Sequence, residues 1–272
     1  MVEGALPGTV PRAPLNADVL RSRVLRPGGL WTGLTVLSSV GSTNVDMAGR
    51  ARRGADHGEV LVAEEQTSGR GRHERVWTAP ACTSAMLSVL VRPSPSPSHW
   101  GWIPLLTGLA VVEAVARSGV TAHLKWPNDV MVEDRKLAGV LCEVVPTSMG
   151  SSVVAGWGLN VDQRPSELPT GSATSMFLAG GSVDRAALVV DMLVAWEEWY
   201  RRWEDDASSL AMAYAAHSST LGQTVRASLP NGSQVQGLAT RIGNDGGLVI
   251  DVEGTEQEVA AADVVHLRTA AS

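Results

Sequence analysis

The sequence predicts an α+β protein: a mixed, mainly antiparallel sheet with flanking helices, followed by a small barrel-like β domain. Three observations predict it. Four β-rich segments between residues 122 and 161 follow one another too closely for parallel crossovers. Two long helical patterns, 102–117 and 184–203, flank them. From Leu221 onward, short strands alternate with turns such as Pro230-Asn231-Gly232 and Asn244-Asp245-Gly246-Gly247, which make hairpins.

In chain order, residues 1–15 read as a disordered tail. Asn16 caps a short helix to Leu25, stopped by Pro27, Gly28 and Gly29. A strand covers 35–40, leaving no room before it for a helix-turn-helix. Ser42 caps a helix over 44–53 that Gly54 ends. A strand at 60–64 precedes a Gly/Arg loop at 67–75, and 84–91 alternates as a further strand. The Pro/Ser run at 93–98 is an extended, solvated linker. Residues 102–117 form an apolar buried helix. Strands follow at 122–126, 130–133, 137–145 and 152–161. In the helix at 184–203, Leu188, Met192, Ala195, Trp196, Trp199 and Trp203 share one face, the spacing of a core stripe. Strands at 225–229, 234–242, 248–252 and 256–260 complete the chain. The domains are then 1–30 (tail and short helix), 31–219 (main domain) and 220–272 (C-terminal β domain).

With 272 residues, 44% of them hydrophobic, the chain can bury a sizeable core. A net charge of −6 argues against nucleic acid as a partner. The two cysteines, Cys82 and Cys142, read as reduced buried thiols. The histidines at 57, 73, 99, 123, 217 and 266 lack zinc-ligand spacing. The N-terminus has no signal-peptide pattern, and no run has the apolar length to cross a membrane. The expectation is a cytoplasmic protein with no membrane partner.

Five constellations carry the chemistry. Gly69-Arg70-Gly71-Arg72-His73-Glu74-Arg75-Val76-Trp77 combines glycines that let backbone approach a ligand, forked guanidinium donors and a flat apolar wall. By composition alone, a solvated basic loop is the commoner explanation. Lys125-Trp126-Pro127-Asn128-Asp129 lies at a strand end; Asp129 suits Mg²⁺ or a hydroxyl, and Asn-Asp also suits a plain turn. Lys136 enters the apolar strand Leu137-Ala138-Gly139-Val140-Leu141, where it would neutralise an anion or simply end the strand in solvent. Gly156 and Gly158 share one strand face with Asn160, so a chain segment or a flat ligand must lie against that backbone. Gly41-Ser42-Thr43-Asn44 opens a helix, whose free N–H groups bind polar groups or are capped internally.

Taken together and in this order, the Ser42-Thr43-Asn44, Glu65-Gln66-Thr67, Gly69-Arg70-Gly71-Arg72, Lys125-Trp126-Pro127-Asn128-Asp129, Lys136-Leu137-Ala138-Gly139 and Gly158-Leu159-Asn160 blocks resemble the bacterial biotin–protein ligases over about residues 35–268. The chain is similar to the monofunctional members without a DNA-binding domain. The resemblance implies a class II synthetase-like catalytic domain and an SH3-like C-terminal barrel. It implies formation of biotinyl-5'-AMP from biotin and ATP with Mg²⁺, then transfer to a lysine of the biotin carboxyl carrier protein domain of biotin-dependent carboxylases.

By the same resemblance, Ser42, Thr43, Asn44, Gln66, Gly69, Arg70, Gly71, Arg72, Lys136, Gly139, Leu141, Gly156 and Gly158 would hold biotin. Arg72, Arg75, Trp77, Lys125, Asn128, Asp129, Lys136 and Asn160 would serve ATP. Lys136, Arg70, Arg72 and Asp129 would be catalytic, with Asp129 the metal ligand. Glu74 stands where the family motif has a glycine, which removes one position free to take positive φ. Lipoate or octanoyl transferases share the architecture, but the Gly-Arg-Gly-Arg and Lys-Trp-Pro-Asn-Asp blocks speak for biotin. A ligand-responsive regulator would need a basic, DNA-reading element, and an interaction scaffold would not need the glycine and polar pattern at 66–77 and 156–160.

Overall fold

The computed structural model describes residues 12–260 and 262–267. Helix α1 (Ala17–Val24) is capped by Asn16, whose side chain accepts from the amides of Asp18 and Val19. Strand β1 (Gly33–Leu37) leads to helix α2 (Thr43–Arg52), β2 (Glu59–Ala63), a hairpin of β3 (Gly69–Arg70) and β4 (Val76–Trp77), and β5 (Ser84–Val91). Helix α3 (Trp102–Arg117) precedes β6 (His123–Lys125), β7 (Asp129–Val132), β8 (Arg135–Thr147) and β9 (Gly150–Asn160). Helices α4 (Arg185–Asp205) and α5 (Ser208–His217) follow. The chain then enters β10 (Thr224–Ser228), β11 (Gln234–Ile242), β12 (Leu248–Val252), β13 (Thr255–Val259) and β14 (Asp263–His266).

The first sheet has the order β1-β2-β5-β9-β8-β7-β6. Only β1 and β2 run parallel; the other pairs are antiparallel, giving the mixed sheet the pattern predicts. Alternation along β9 divides the faces. Val153, Ala155, Trp157 and Leu159 join the main core under α3, and α4 covers α3 in turn. Val154 belongs to a second apolar cluster with Met47, Ala48 and Ala51 of α2 and with Leu61, Leu90 and Val145. The α4 stripe of Leu188, Met192, Ala195, Trp196, Trp199 and Trp203 is buried, as its spacing requires. The second sheet, β13-β12-β11-β10-β14, is antiparallel throughout. One of its turns reaches the first unit at helix α3 and at the turn after β6: Trp102 Nε1 donates to Asn244 O at 2.7 Å and Trp126 Nε1 to Gly246 O at 3.2 Å.

Several expectations need correction. Of the proposed tail, residues 1–11 lie outside the described residues, but 12–15 are tied down. Arg12 donates to Asp162 and Glu167, Leu15 N donates to the Glu64 carboxylate, and Arg185 donates to Ala13 O. Strand β5 does not alternate: all eight residues are buried, because helices cover both faces there. Ser42 stands at the N-cap of α2, but its side chain makes no capping bond. Helix α5 and strand β14 were missed; α5 has almost no amphipathic periodicity, being Ala/Ser-rich. The helical stretch Pro97–Arg117 does have the length and apolarity to cross a membrane, yet 67% of that window is buried inside the protein. Cys82 and Cys142 are free and half-buried.

The strap at residues 12–15 is held electrostatically. Arg12 meets Glu167 at 2.7 Å and Asp162 at 3.0 Å, and this pairing holds the Glu167 carboxyl down at about 2, from an ordinary 4.5. A depressed carboxylate contributes stability that is complete above its unfolded pKa and lost as pH falls through the folded one. Both partners keep some solvent contact, so the contribution is modest. The stability difference between wild type and Arg12→Ala, from urea melts, should therefore be constant above about pH 5 and shrink as pH falls from 4.5 toward 2. A difference unchanged at the acid end would remove Glu167 from the interaction.

Candidate active site

Strand β9 creates the site by what it lacks. On the face shared with α2, Val154 is covered by the helix, but the next two positions are Gly156 and Gly158 before Asn160. Beside them, Gly139 pairs with Gly158 and Leu141 with Gly156. The absent side chains leave a hollow. A cavity of about 420 Å³ occupies it, within the ~300–1,000 Å³ usual for small-molecule sites.

Two side chains already lie against the glycines. A Cβ at Gly158 would stand 2.6 Å from the Trp77 indole, and a Cβ at Gly156 would collide with the Asn44 carboxamide. Asn44 is held there: it donates to Leu141 O (3.0 Å) and Glu143 Oε2 (2.8 Å) and accepts from Ser88 Oγ (2.7 Å). The first turn of α2 is satisfied from outside. Gln66 Oε1 accepts from Thr43 N at 2.7 Å and from Thr43 Oγ1 at 3.0 Å, replacing the cap that Ser42 does not supply.

Lys136 closes one side. Its backbone is clamped to the segment 172–174 by Lys136 N→Ser172 O (2.8 Å) and Thr174 N→Lys136 O (2.9 Å). Its Nζ stands 2.5 Å from Asp129 Oδ1. Asn128 is fixed on Val140 O through its side chain and accepts from Arg72 at 3.4 Å. Burial lowers the Arg72 guanidinium from its ordinary value, with Asp263 and Asp129 opposing.

A family model described as the biotin/lipoate A/B protein ligase family matches residues 39–160. The biotin–[acetyl-CoA-carboxylase] ligase of Mycobacterium tuberculosis is 42% identical over 263 residues, covering 94% of this chain and 97% of that one. The bifunctional ligase/repressor BirA of Bacillus subtilis is 30% identical over 84% of this chain and 71% of its own length. The solved biotin protein ligase from Aquifex aeolicus in complex with biotin and ATP has a TM-score of 0.75 at 26% identity, covering 88% of this chain and all (100%) of that one.

The chain belongs to the biotin protein ligase family.

Within this ligase, Ser42, Thr43, Asn44, Gln66, Arg70, Gly71, Arg72, Arg75, Trp77, Asn128, Asp129, Lys136, Gly139, Leu141, Gly156, Gly158 and Asn160 all line the one cavity. Two expected residues do not. Gly69 pairs with Trp77 in the β3–β4 hairpin, where a Cβ would strike the Trp77 carbonyl, so it shapes the turn. Lys125 lies outside the cavity lining, and after burial its charge and that of His123 lower the pKa of His266. Glu74 does not leave the turn without a left-handed residue, because His73 takes that conformation (φ 51°).

Sequence reasoning missed the wall Pro169, Thr170, Ser172 and Ala173, and missed Asp263. The wall carries only loop-like residue types, and Asp263 comes from the other sheet. Asp263 accepts from Arg75 at 2.7 Å and faces His73 Nε2 at 3.5 Å, while Arg72 donates to the neighbouring Ala262 O at 3.2 Å. The second sheet thus clasps the arginine hairpin. Asp263→Ala should free it, and trypsin should cut at Arg70, Arg72 or Arg75 roughly tenfold faster, a factor of ten being ~1.4 kcal/mol of opening energy. Cleavage at the wild-type rate would show that the clasp does not hold the hairpin.

Proposed function

We propose that this enzyme joins biotin to ATP as biotinyl-5'-AMP and transfers the biotinyl group to a lysine of a biotin carboxyl carrier protein domain. One observation carries the reading: Arg70, Lys136 and Gly158, from three separate elements, line the same small-molecule cavity. The glycine-floored end suits an apolar acid with a polar ring, with Ser42, Thr43, Asn44 and Gln66 around the ring. The end bounded by Arg72, Arg75, Asn128, Asp129 and Asn160 suits the nucleotide.

Biotin's carboxylate is ionised at neutral pH and needs no base. One carboxylate oxygen forms a bond to the α-phosphorus while the bond to the leaving pyrophosphate breaks. The obstacle is repulsion between anions, which Lys136, Arg70 and Arg72 relieve. At rest Lys136 is matched by Asp129. An incoming anion therefore competes with a carboxylate for the ammonium, and binding frees Asp129.

That carboxylate fits Mg²⁺. Its Oδ1 is buried, with no hydrogen-bond partner beyond the Lys136 contact, and Mg²⁺ commonly needs only one or two carboxylates beside substrate phosphates. Among the described residues no cluster of three metal-binding side chains exists, so phosphate oxygens would complete the shell. The ion supplies charge neutralisation on the phosphates. In the second step the carrier amine, deprotonated, attacks the acyl carbon and AMP leaves. The arginine hairpin keeps water off the mixed anhydride meanwhile.

ATP–pyrophosphate exchange tests the reading directly. Exchange should appear with biotin and stay at background with lipoate or with neither acid; exchange with lipoate alone would overturn the assignment. Lys136→Ala should melt like wild type and lose exchange by roughly 100-fold, the scale of removing one charge-stabilising donor. Wild-type exchange in a folded Lys136→Ala protein would take that lysine out of the chemistry. Asp129→Ala should slow adenylate formation more than transfer from pre-formed adenylate; the opposite order would make Asp129 the acceptor of the carrier lysine's proton.

A further inference from the structure

The wall that sequence reasoning missed is fixed at its two ends by different means. At the far end, Lys136 N donates to Ser172 O at 2.8 Å and Thr174 N to Lys136 O at 2.9 Å. At the near end, Gln163 is 1% exposed and bonds through its side chain to Ser84 and Asn160. Between these points Pro169 and Thr170 line the cavity. Among the described residues, 168–171 make no hydrogen bond outside their own segment.

Their support comes through Glu167, whose one long-range partner among the described residues is Arg12. Both carboxylate oxygens accept from the guanidinium, at 2.7 and 2.8 Å. The same guanidinium donates to Asp162 Oδ2 at 3.0 Å and to Asp162 O at 2.6 Å. One planar fork thus ties both residues, a geometry that a lysine ammonium does not copy. Exposed ion pairs contribute little, but a bidentate pair within a charge network is the exception, and Arg164 adds a contact to Asp162 at 3.2 Å.

Arg12 can hold the wall only if it is held itself. Arg185 donates to Ala13 O at 2.7 Å, and Leu15 N donates to the Glu64 carboxylate. Arg185 and Glu64 form a buried ion pair, where α4 begins and β2 has just ended. The strap therefore runs from a rigid anchor in the main domain to the one stretch of wall that lacks other support.

We infer that Arg12 is a positioning residue for the two-step reaction: anchored through the Glu64–Arg185 pair, it holds the wall at 168–173 over the cavity and keeps water from the acyl-adenylate until the carrier lysine arrives. The inference rests on the reading of this cavity as a ligase site. The loss it prevents is hydrolysis. A water oxygen bonds to the acyl carbon, the bond from that carbon to the phosphate oxygen breaks, biotin and AMP leave, and the water protons pass to solvent.

The test uses the full-length protein with Arg12→Ala, Arg12→Lys and Glu167→Gln. Biotin, ATP and pyrophosphatase are supplied without carrier, and AMP release reports loss of the intermediate. Arg12→Ala should raise AMP release roughly tenfold, while biotin-dependent ATP–pyrophosphate exchange stays within about twofold of wild type. Arg12→Lys should fall between the two. Glu167→Gln should raise release less, and should add nothing on the Arg12→Ala background. A less stable fold would lower both activities together, so unfolding cannot imitate a rise in AMP release. Amide hydrogen exchange at residues 168, 170 and 171 of the ligand-free protein should quicken by a similar factor in Arg12→Ala. AMP release at the wild-type rate in Arg12→Ala, or a parallel fall in release and pyrophosphate exchange, would overturn the inference and leave the strap a plain stabiliser. Wild type without biotin-dependent pyrophosphate exchange would instead sink the ligase reading, and the amide measurement would still decide whether Arg12 holds the wall.

Discussion

The site depends on a single backbone constraint: between Val154 and Asn160, one face of β9 must carry no side chain. On the neighbouring strand β5 both faces are covered, and all eight residues are buried. A seven-stranded sheet sandwiched between helices has no natural opening. Gly156 and Gly158 make one, and α2 stops short enough to leave it uncovered. The opposite face of the same strand, with Trp157 and Leu159, stays in the main core. Fold and cavity are thus written on alternate residues of one strand. The first turn of α2 then delivers Thr43 and Asn44 to the edge of the opening, with their orientation set by Gln66, Glu143 and Ser88.

Around that opening, charge is arranged by elements far apart in sequence. Lys136 faces Asp129 across neighbouring strands, and the arginines arrive on a short hairpin that the second sheet grips through Asp263. The wall beyond Lys136 is anchored twice. Backbone bonds tie 172–174 to the lysine itself, and the carboxylates at 162 and 167 are tied to Arg12. Placement of the reactive groups is therefore a property of both sheets and of the N-terminal strap together. This is the kind of support that keeps catalytic side chains within the small tolerances chemistry requires.

Most of the architecture was legible because its signals are local. The cap at Asn16, the stripe on α4 and the hairpin turns after Leu221 each obey a short-range rule, and each element stands where the rule puts it. The glycine pair on β9 was legible as a demand for something lying on the backbone; in the structure Asn44 and Trp77 answer it. What escaped was tertiary. No periodicity marks Ser/Ala-rich α5, and nothing local distinguishes Pro169 or Ala173 from any other loop residue. Asp263 acquires meaning only when two sheets meet. Lys125 belongs to a specific motif yet does not line the cavity, and its charge bears on His266. The Ser42 cap failed because Gln66, more than twenty residues on, does the work through space.

The N-terminal strap has a bearing on how the molecule is made. Its contacts join Arg12 to residues 150 and 155 positions later, and Ala13 to one 172 positions later. None of these partners exists while the first half of the chain is being synthesised. Long-range contacts of this kind close last, after the loop between them has been ordered by its own packing. The strap that steadies the cavity wall is therefore complete only when Arg185 of α4 has emerged from the ribosome, so a nascent chain that stalls before it carries the glycine slot with its N-terminal strap half fastened.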